Sequence, residues 1–132
     1  MKQFLSILGC VLLLAACTQS NEKIAVYDEQ SDKTKEIKHQ LENSKEVDKA
    51  NIVVVDNEIL VAIQVKPWLS FKEQKTEKEI QERLKKEMPH YDILVSSDFK
   101  LYWETSKLID EKNHQTVNQK VKDLKKLAKE ET

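Results

Sequence analysis

Of the side chains able to do chemistry, one cysteine and one pair of aromatics stand in a defined context. Cys17 follows Leu14-Ala15-Ala16, which closes a nearly unbroken apolar run over residues 4–14 behind the short basic start Met1-Lys2-Gln3. Trp68 and Phe71 follow Pro67 in a bulky loop, where large rings either cover one end of a core or form a contact patch for a partner or a membrane interface. The remaining candidates are dispersed. His39, His90 and His114 have no second ligand at metal-binding spacing on a shared helix, and His39 with Glu42 is an ordinary surface pairing, so no metal site is expected. The carboxylates interleave with cations, as in Glu82-Arg83-Leu84-Lys85-Lys86-Glu87, which reads as a solvated helix face with weak ion pairs. Nothing in the spacing selects a general acid and its partner.

The context of Cys17 resembles the lipobox of bacterial lipoproteins. A charged start, an apolar stretch too short to span a bilayer and small residues before the cut describe an export signal. In the lipobox the thiol accepts a diacylglyceryl group, and Ala15 and Ala16 fit the small subsites of the peptidase that then cuts before Cys17. The acyl chains, palmitate among them, supply the paired hydrophobic signals that stable anchoring needs. The other reading is an ordinary export signal with a cysteine placed by chance. Cys10 leaves with the leader, so a mature chain with an acylated Cys17 forms no disulfide and no thiolate metal site.

The rest of the composition narrows the classes further. A chain of 132 residues, cut before Cys17, has the length of one small domain. Its formal net charge is −1, and losing Lys2 makes it one unit more negative, so bulk charge favours no nucleic-acid partner. The single glycine, Gly9, lies in the leader. Phosphate loops, dinucleotide fingerprints and nucleophile elbows require glycine, and no cofactor is expected.

The elements that must position these groups follow from periodicity. Residues 18–31 read as a polar tether reaching at most about 45–50 Å, with Ile24-Ala25-Val26-Tyr27 either part of it or a short strand. Ile37, Leu41 and Val47 mark a first helix beginning near Ser31 or Asp32. The β-branched run Ala50-Asn51-Ile52-Val53-Val54-Val55 and the alternating Ile59-Leu60-Val61-Ala62-Ile63-Gln64-Val65 form a hairpin over a tight turn, with Asn57 the expected left-handed residue. Thr76-Glu77-Lys78-Glu79 reads as a capping box ahead of Ile80, Leu84 and Met88, and Pro89 stops that helix. Ile93-Leu94-Val95 is a third strand. Asp98 caps a helix whose Phe99, Tyr102 and Trp103 are expected to pack in the core. Val117, Val121, Leu124 and Ala128 mark a last helix, whose Lys120, Lys122, Lys125, Lys126 and Lys129 suit an anionic lipid surface, a packed helix or a self-associating tail. The expected fold is α+β, a three-stranded sheet packed against helices in the order α-β-β-α-β-α-α. Its expected organisation is a leader over residues 1–16, a lipidated Cys17 and tether through 31, a domain over 32–112 and a lysine-rich amphipathic helix over 113–132.

Taken in order, the lipobox, the segment Val47-Asp48-Lys49-Ala50-Asn51-Ile52-Val53-Val54-Val55, the following strand and Ile93-Leu94-Val95-Ser96-Ser97-Asp98 resemble the YhcN/YlaJ family of sporulation lipoproteins of spore-forming Gram-positive bacteria. The resemblance runs over residues 1–112. Phe99 stands where the family commonly has proline, and Leu60 where an aromatic residue is frequent. The family's fold is similar to the small BON binding domain, although the glycine typical of that domain is missing here. The resemblance implies a lipoprotein on the extracytoplasmic face of the cell membrane, in particular the forespore inner membrane, linked to spore formation or germination. It transfers no catalytic residue. The function expected is therefore a non-enzymatic binding or assembly module, held to the membrane through Cys17 and meeting a spore-envelope protein partner, with Trp68 and Phe71 as the contact. The alternative is a cell-wall hydrolase using paired carboxylates.

Overall fold

The computed structural model describes residues 23–27 and 31–131; the leader, the lipobox, Cys17 and most of the expected tether lie outside the described residues. Four strands and four α-helices follow in the order β1 (Ile24–Tyr27), α1 (Asp32–Glu42), β2 (Val47–Val55), β3 (Glu58–Val65), α2 (Glu73–Glu87), β4 (Asp92–Ser96), α3 (Phe99–Ile109) and α4 (His114–Glu130), with a 3₁₀ segment, Pro67–Lys72, leading into α2. The sheet order is β1-β2-β3-β4. The central pair is the antiparallel hairpin, and β1 and β4 flank it in parallel on either side. Each parallel neighbour is reached through a helix, as parallel pairing requires.

The hairpin forms where its β-branched residues place it. Val55 lies opposite Glu58, leaving Asp56 and Asn57 as a two-residue turn. The left-handed residue is Asp56, with φ 51°, and not Asn57. That first turn position is left-handed in both primed hairpin turns, and aspartate tolerates it better than most residues. Alternation then splits the apolar side chains between two faces. Ile52, Val54, Ile59, Val61 and Ile63 meet Ile37 and Leu41 of α1 and Ile80 and Leu84 of α2. Val53, Val55 and Leu60 meet Leu101 and Leu108 of α3 and Val117, Val121 and Leu124 of α4. The result is a mixed α and β fold with helices on both faces of the sheet.

Several expectations are corrected. The sheet has four strands rather than three, because Ile24–Tyr27 pairs with β2 as a parallel edge strand. The strand expected third joins the hairpin beside β3. Val47 opens β2 instead of closing α1, which ends at Glu42. Thr76 is a buried residue inside α2, one turn before Ile80, so it is no cap; the helix already starts at Glu73. Asp98 does cap α3, its carboxylate accepting from the Lys100 N–H at 2.8 Å. Both outer strands are modest edges. β1 has four residues, and the Gln81 side chain covers the edge of β4, donating to the Ile93 carbonyl at 2.6 Å and accepting from the Val95 N–H.

Ile63 is fully buried between β2 and the α1–α2 layer. Ile63→Ala is expected to cost about 2–5 kcal/mol by urea denaturation with little change in the slope of the transition. A loss below about 0.5 kcal/mol would be a surface value and would contradict the packing.

Candidate functional site

Register brings the informative loops to one end of the sheet. Ile24 lies opposite Ala50, and Ala50 opposite Ile63, while Ala62 lies opposite Ser96. The start of β1, the start of β2, the end of β3 and the end of β4 are therefore neighbours, and the Asp56–Asn57 turn is at the other end. β3 runs out into Lys66 and Pro67, and the 3₁₀ segment carries Trp68 and Phe71, kinked at Leu69 where φ is −113°. None of its residues is buried. Trp68 is 72 % exposed and Phe71 78 %. They do not cover the core, which is already filled on both faces by the helices.

Cations sit against both rings. Lys66 Nζ lies 6.0 Å from the Trp68 ring centre and Lys72 Nζ lies 5.9 Å from that of Phe71, at the outer limit of cation–π attraction. Beneath the loop, the Lys66 N–H donates to the Glu46 carbonyl at 2.9 Å, tying the end of β3 to the approach of β2. The Glu46 carboxyl is held below the usual carboxylate range by its own backbone N–H first; burial opposes this, and the Ser44 hydroxyl and the charges of Lys72 and Lys45 add to the lowering.

Two further aromatics are outside the core against expectation. Phe99 is 69 % exposed and Trp103, with Lys107 Nζ 5.5 Å from its ring centre, is 57 % exposed. The buried stripe of α3 is Leu101, Thr105 and Leu108. Its polar member belongs to a network around the buried Asn51, whose amide donates to the Tyr102 carbonyl, the Thr105 hydroxyl and the Ser106 hydroxyl at 2.8–3.1 Å. Burial pushes the Tyr102 phenol up, and the charge of Asp48 adds to this.

The lysine-rich helix packs on the domain, one of the forms expected for it, and one of its lysines is not at the surface. Lys125 is only 4 % exposed, and its ammonium meets Glu58 Oε2 at 2.5 Å, Asp92 Oδ1 at 3.6 Å and the Asp92 carbonyl. It belongs to the interior, four residues after Val121 on the apolar stripe of α4. At the start of α4, His114 meets Asp56 Oδ1 at 3.1 Å and Asn118 bonds the other oxygen, fastening the helix to the hairpin turn. Among the described residues no group of three or more His, Cys, Asp or Glu side chains stands close enough to hold a metal, and no helix is long and apolar enough to cross a membrane.

A cleft of about 580 Å³ lies between the starts of α2 and α3 and the end of α4, lined by Glu73, Glu77, Ser97, Asp98 and Glu131 among others. Its two central carboxylates serve the backbone. Glu77 Oε2 accepts from the Ser97 N–H at 2.9 Å and the Ser97 hydroxyl at 2.5 Å, and Asp98 caps α3. Both carboxylates are thus engaged with the chain at the end of β4 and the start of α3.

The sequence family described as Sporulation lipoprotein YhcN/YlaJ matches residues 17–130, which is nearly the whole chain and includes α4. The chain belongs to that family. No curated protein and no solved structure matches it.

The Lys125 cluster makes a two-sided prediction. Lys125→Met alone leaves the largely buried Glu58 carboxylate without its cation and is expected to cost about 3–5 kcal/mol; pairing it with Glu58→Leu should recover most of that loss. Urea denaturation of the single and double variants checks this, and a silent single variant would contradict burial of the pair.

Proposed function

We propose that this member of the sporulation lipoprotein family is a membrane-tethered, non-enzymatic contact or assembly module, acylated at Cys17 and presenting Trp68 and Phe71 as its contact. The anchor reading draws on the lipobox residues and on a family match that begins at Cys17 itself. It implies a place on the extracytoplasmic face of the cell membrane, in a spore former the inner forespore membrane, with a spore-envelope protein as partner and a role in spore formation or germination. A BON-like use of the domain, binding rather than catalysis, is part of the same reading.

One observation carries the proposal: the core is complete without its largest side chains. Trp68, Phe71, Phe99 and Trp103 are all exposed, although apolar packing would reward their burial. Large exposed aromatics in a small domain mark interaction surfaces. The alternative, a hydrolase with two carboxylates, looks to Glu77 and Asp98 in the cleft, and both are engaged in backbone capping.

Two outcomes are expected. Cys17→Ala yields a protein that no longer partitions into detergent; partitioning like the parent after leader removal would defeat the anchor. Trp68→Ser with Phe71→Ser leaves the circular dichroism melt nearly unchanged while the contact weakens by roughly 2 kcal/mol or more per ring. A double variant that unfolds would place these rings in the core, and one that folds and retains full contact would remove this loop from the site.

A further inference from the structure

The loop at the end of β3 has the composition of an interfacial membrane segment. Lys66-Pro67-Trp68-Leu69-Ser70-Phe71-Lys72 carries two lysines, three large apolar side chains and no carboxylate. Tryptophan and phenylalanine favour the headgroup boundary, and lysines beside them bury their stems while the ammonium stays with the phosphates. An anionic leaflet favours each such lysine by about fivefold in partitioning. Phe99 and Lys100 open α3 at the same end of the sheet, both exposed. Of the nearby carboxylates, Asp98 is engaged in the cap of α3, and Glu46 accepts from the Ser44 hydroxyl at 3.3 Å. The other acidic groups near this end include Asp48, Glu73, Glu77 and Glu131, the last three lining the cleft beside Asp98.

The chain's own path reaches this end too. Lys23 precedes β1, and its carbonyl accepts from the Ala50 N–H at 3.0 Å, in the row of the sheet that holds Ile24 and Ile63. Lys23 follows Cys17 by six positions, a reach of at most about 20–22 Å. β3, with eight residues, extends about 24 Å from the Asp56–Asn57 turn to this end. A leash that short delivers the end bearing Trp68 to the bilayer first.

We propose that the end of the sheet carrying Trp68, Phe71 and Phe99 lies flat on the anionic leaflet that holds the acyl anchor, with Trp68 and Phe71 seated at the headgroup–acyl boundary and the Asp56–Asn57 turn directed away. This rests on the reading of Cys17 as acylated. It gives the aromatic loop to the bilayer in place of the spore-envelope partner, and leaves the hairpin end and the start of α4 facing outward for that partner.

The full-length lipidated chain, reconstituted in phosphatidylglycerol–phosphatidylcholine vesicles with brominated acyl chains, tests the orientation. The chain has two tryptophans, so Trp103→Phe leaves Trp68 as the sole reporter. Expected is flotation with the vesicles, a blue-shifted Trp68 emission and loss of most of that emission to the brominated lipid. A companion with Trp68→Phe, Trp103→Phe and Asn57→Trp reports the opposite end and should stay unquenched; Gln115→Trp, at an exposed site in the first turn of α4, serves if the turn does not accept the change. A chain that floats while its Trp68 is no more quenched than the hairpin-end tryptophan overturns the orientation and leaves the anchor standing. Shielding of Trp68 only after spore-membrane protein is added assigns the loop to a protein partner and overturns it equally. A chain that fails to float removes the anchor, and the orientation with it.

Discussion

Everything in this domain hangs on the register of the β2–β3 hairpin. Each outer strand pairs with one arm of it, and each helix layer packs on one of its faces. A slip of one residue would exchange the two faces. Alternation of polar and apolar residues cannot prevent that here, because both faces are apolar. Polar groups at fixed places do. Asn51 is buried and reaches three acceptors on α3, so it can sit only on that face without losing its partners. The Asp56–Asn57 turn sets the pairing from the other end, with the Asp56 carboxylate held by His114 and Asn118. Beside it, Lys125 draws Glu58 and Asp92 together across β3 and β4.

These contacts make α4 a structural part of the sheet rather than an appended tail. Its first turn fastens the hairpin, its apolar stripe closes the second core, and Lys125 crosses to the neighbouring strands. With two helices on each face, the four strands have no apolar surface left for the aromatics to cover. That is why Trp68 and Phe71, and Phe99 with Trp103 one turn along, remain at the surface. Their exposure is a consequence of a filled core, and it gives the domain an apolar end without weakening its body.

The hairpin is readable in the sequence because two adjacent β-branched runs over a short Asp-Asn turn have few other interpretations, and the Asp98 cap is legible from its place just ahead of α3. What escaped depended on tertiary context. Ile24 to Tyr27 is a short parallel edge strand between polar stretches, and its partner lies more than twenty residues away. Periodicity put Phe99 and Trp103 on one face of α3 but could not say which face was inward; the stripe of Leu101, Thr105 and Leu108 was the competing one. Lys125 reads as one more lysine of a solvated run, yet its spacing from Val117 and Val121 was the available signal. Thr76 shows the same confusion in reverse, with cap chemistry at a position that the Ile80–Leu84 stripe claims. For Trp68 and Phe71 the sequence allows both core and contact, and only the completed packing places them outside.

The fold is thus a scaffold with two unlike ends: a polar, tightly fastened hairpin end, and an aromatic end to which the chain's own N-terminal approach is joined. The proposed contact belongs to the second of these. Hydrogen–deuterium exchange of the full-length chain, free in detergent and then on anionic vesicles, tests it most directly. Expected is new protection confined to the backbone of Lys66–Lys72 and the start of α3, with the Asp56–Asn57 turn and the first turn of α4 unchanged. Protection appearing at the hairpin turn, with the aromatic loop unaffected, would contradict it.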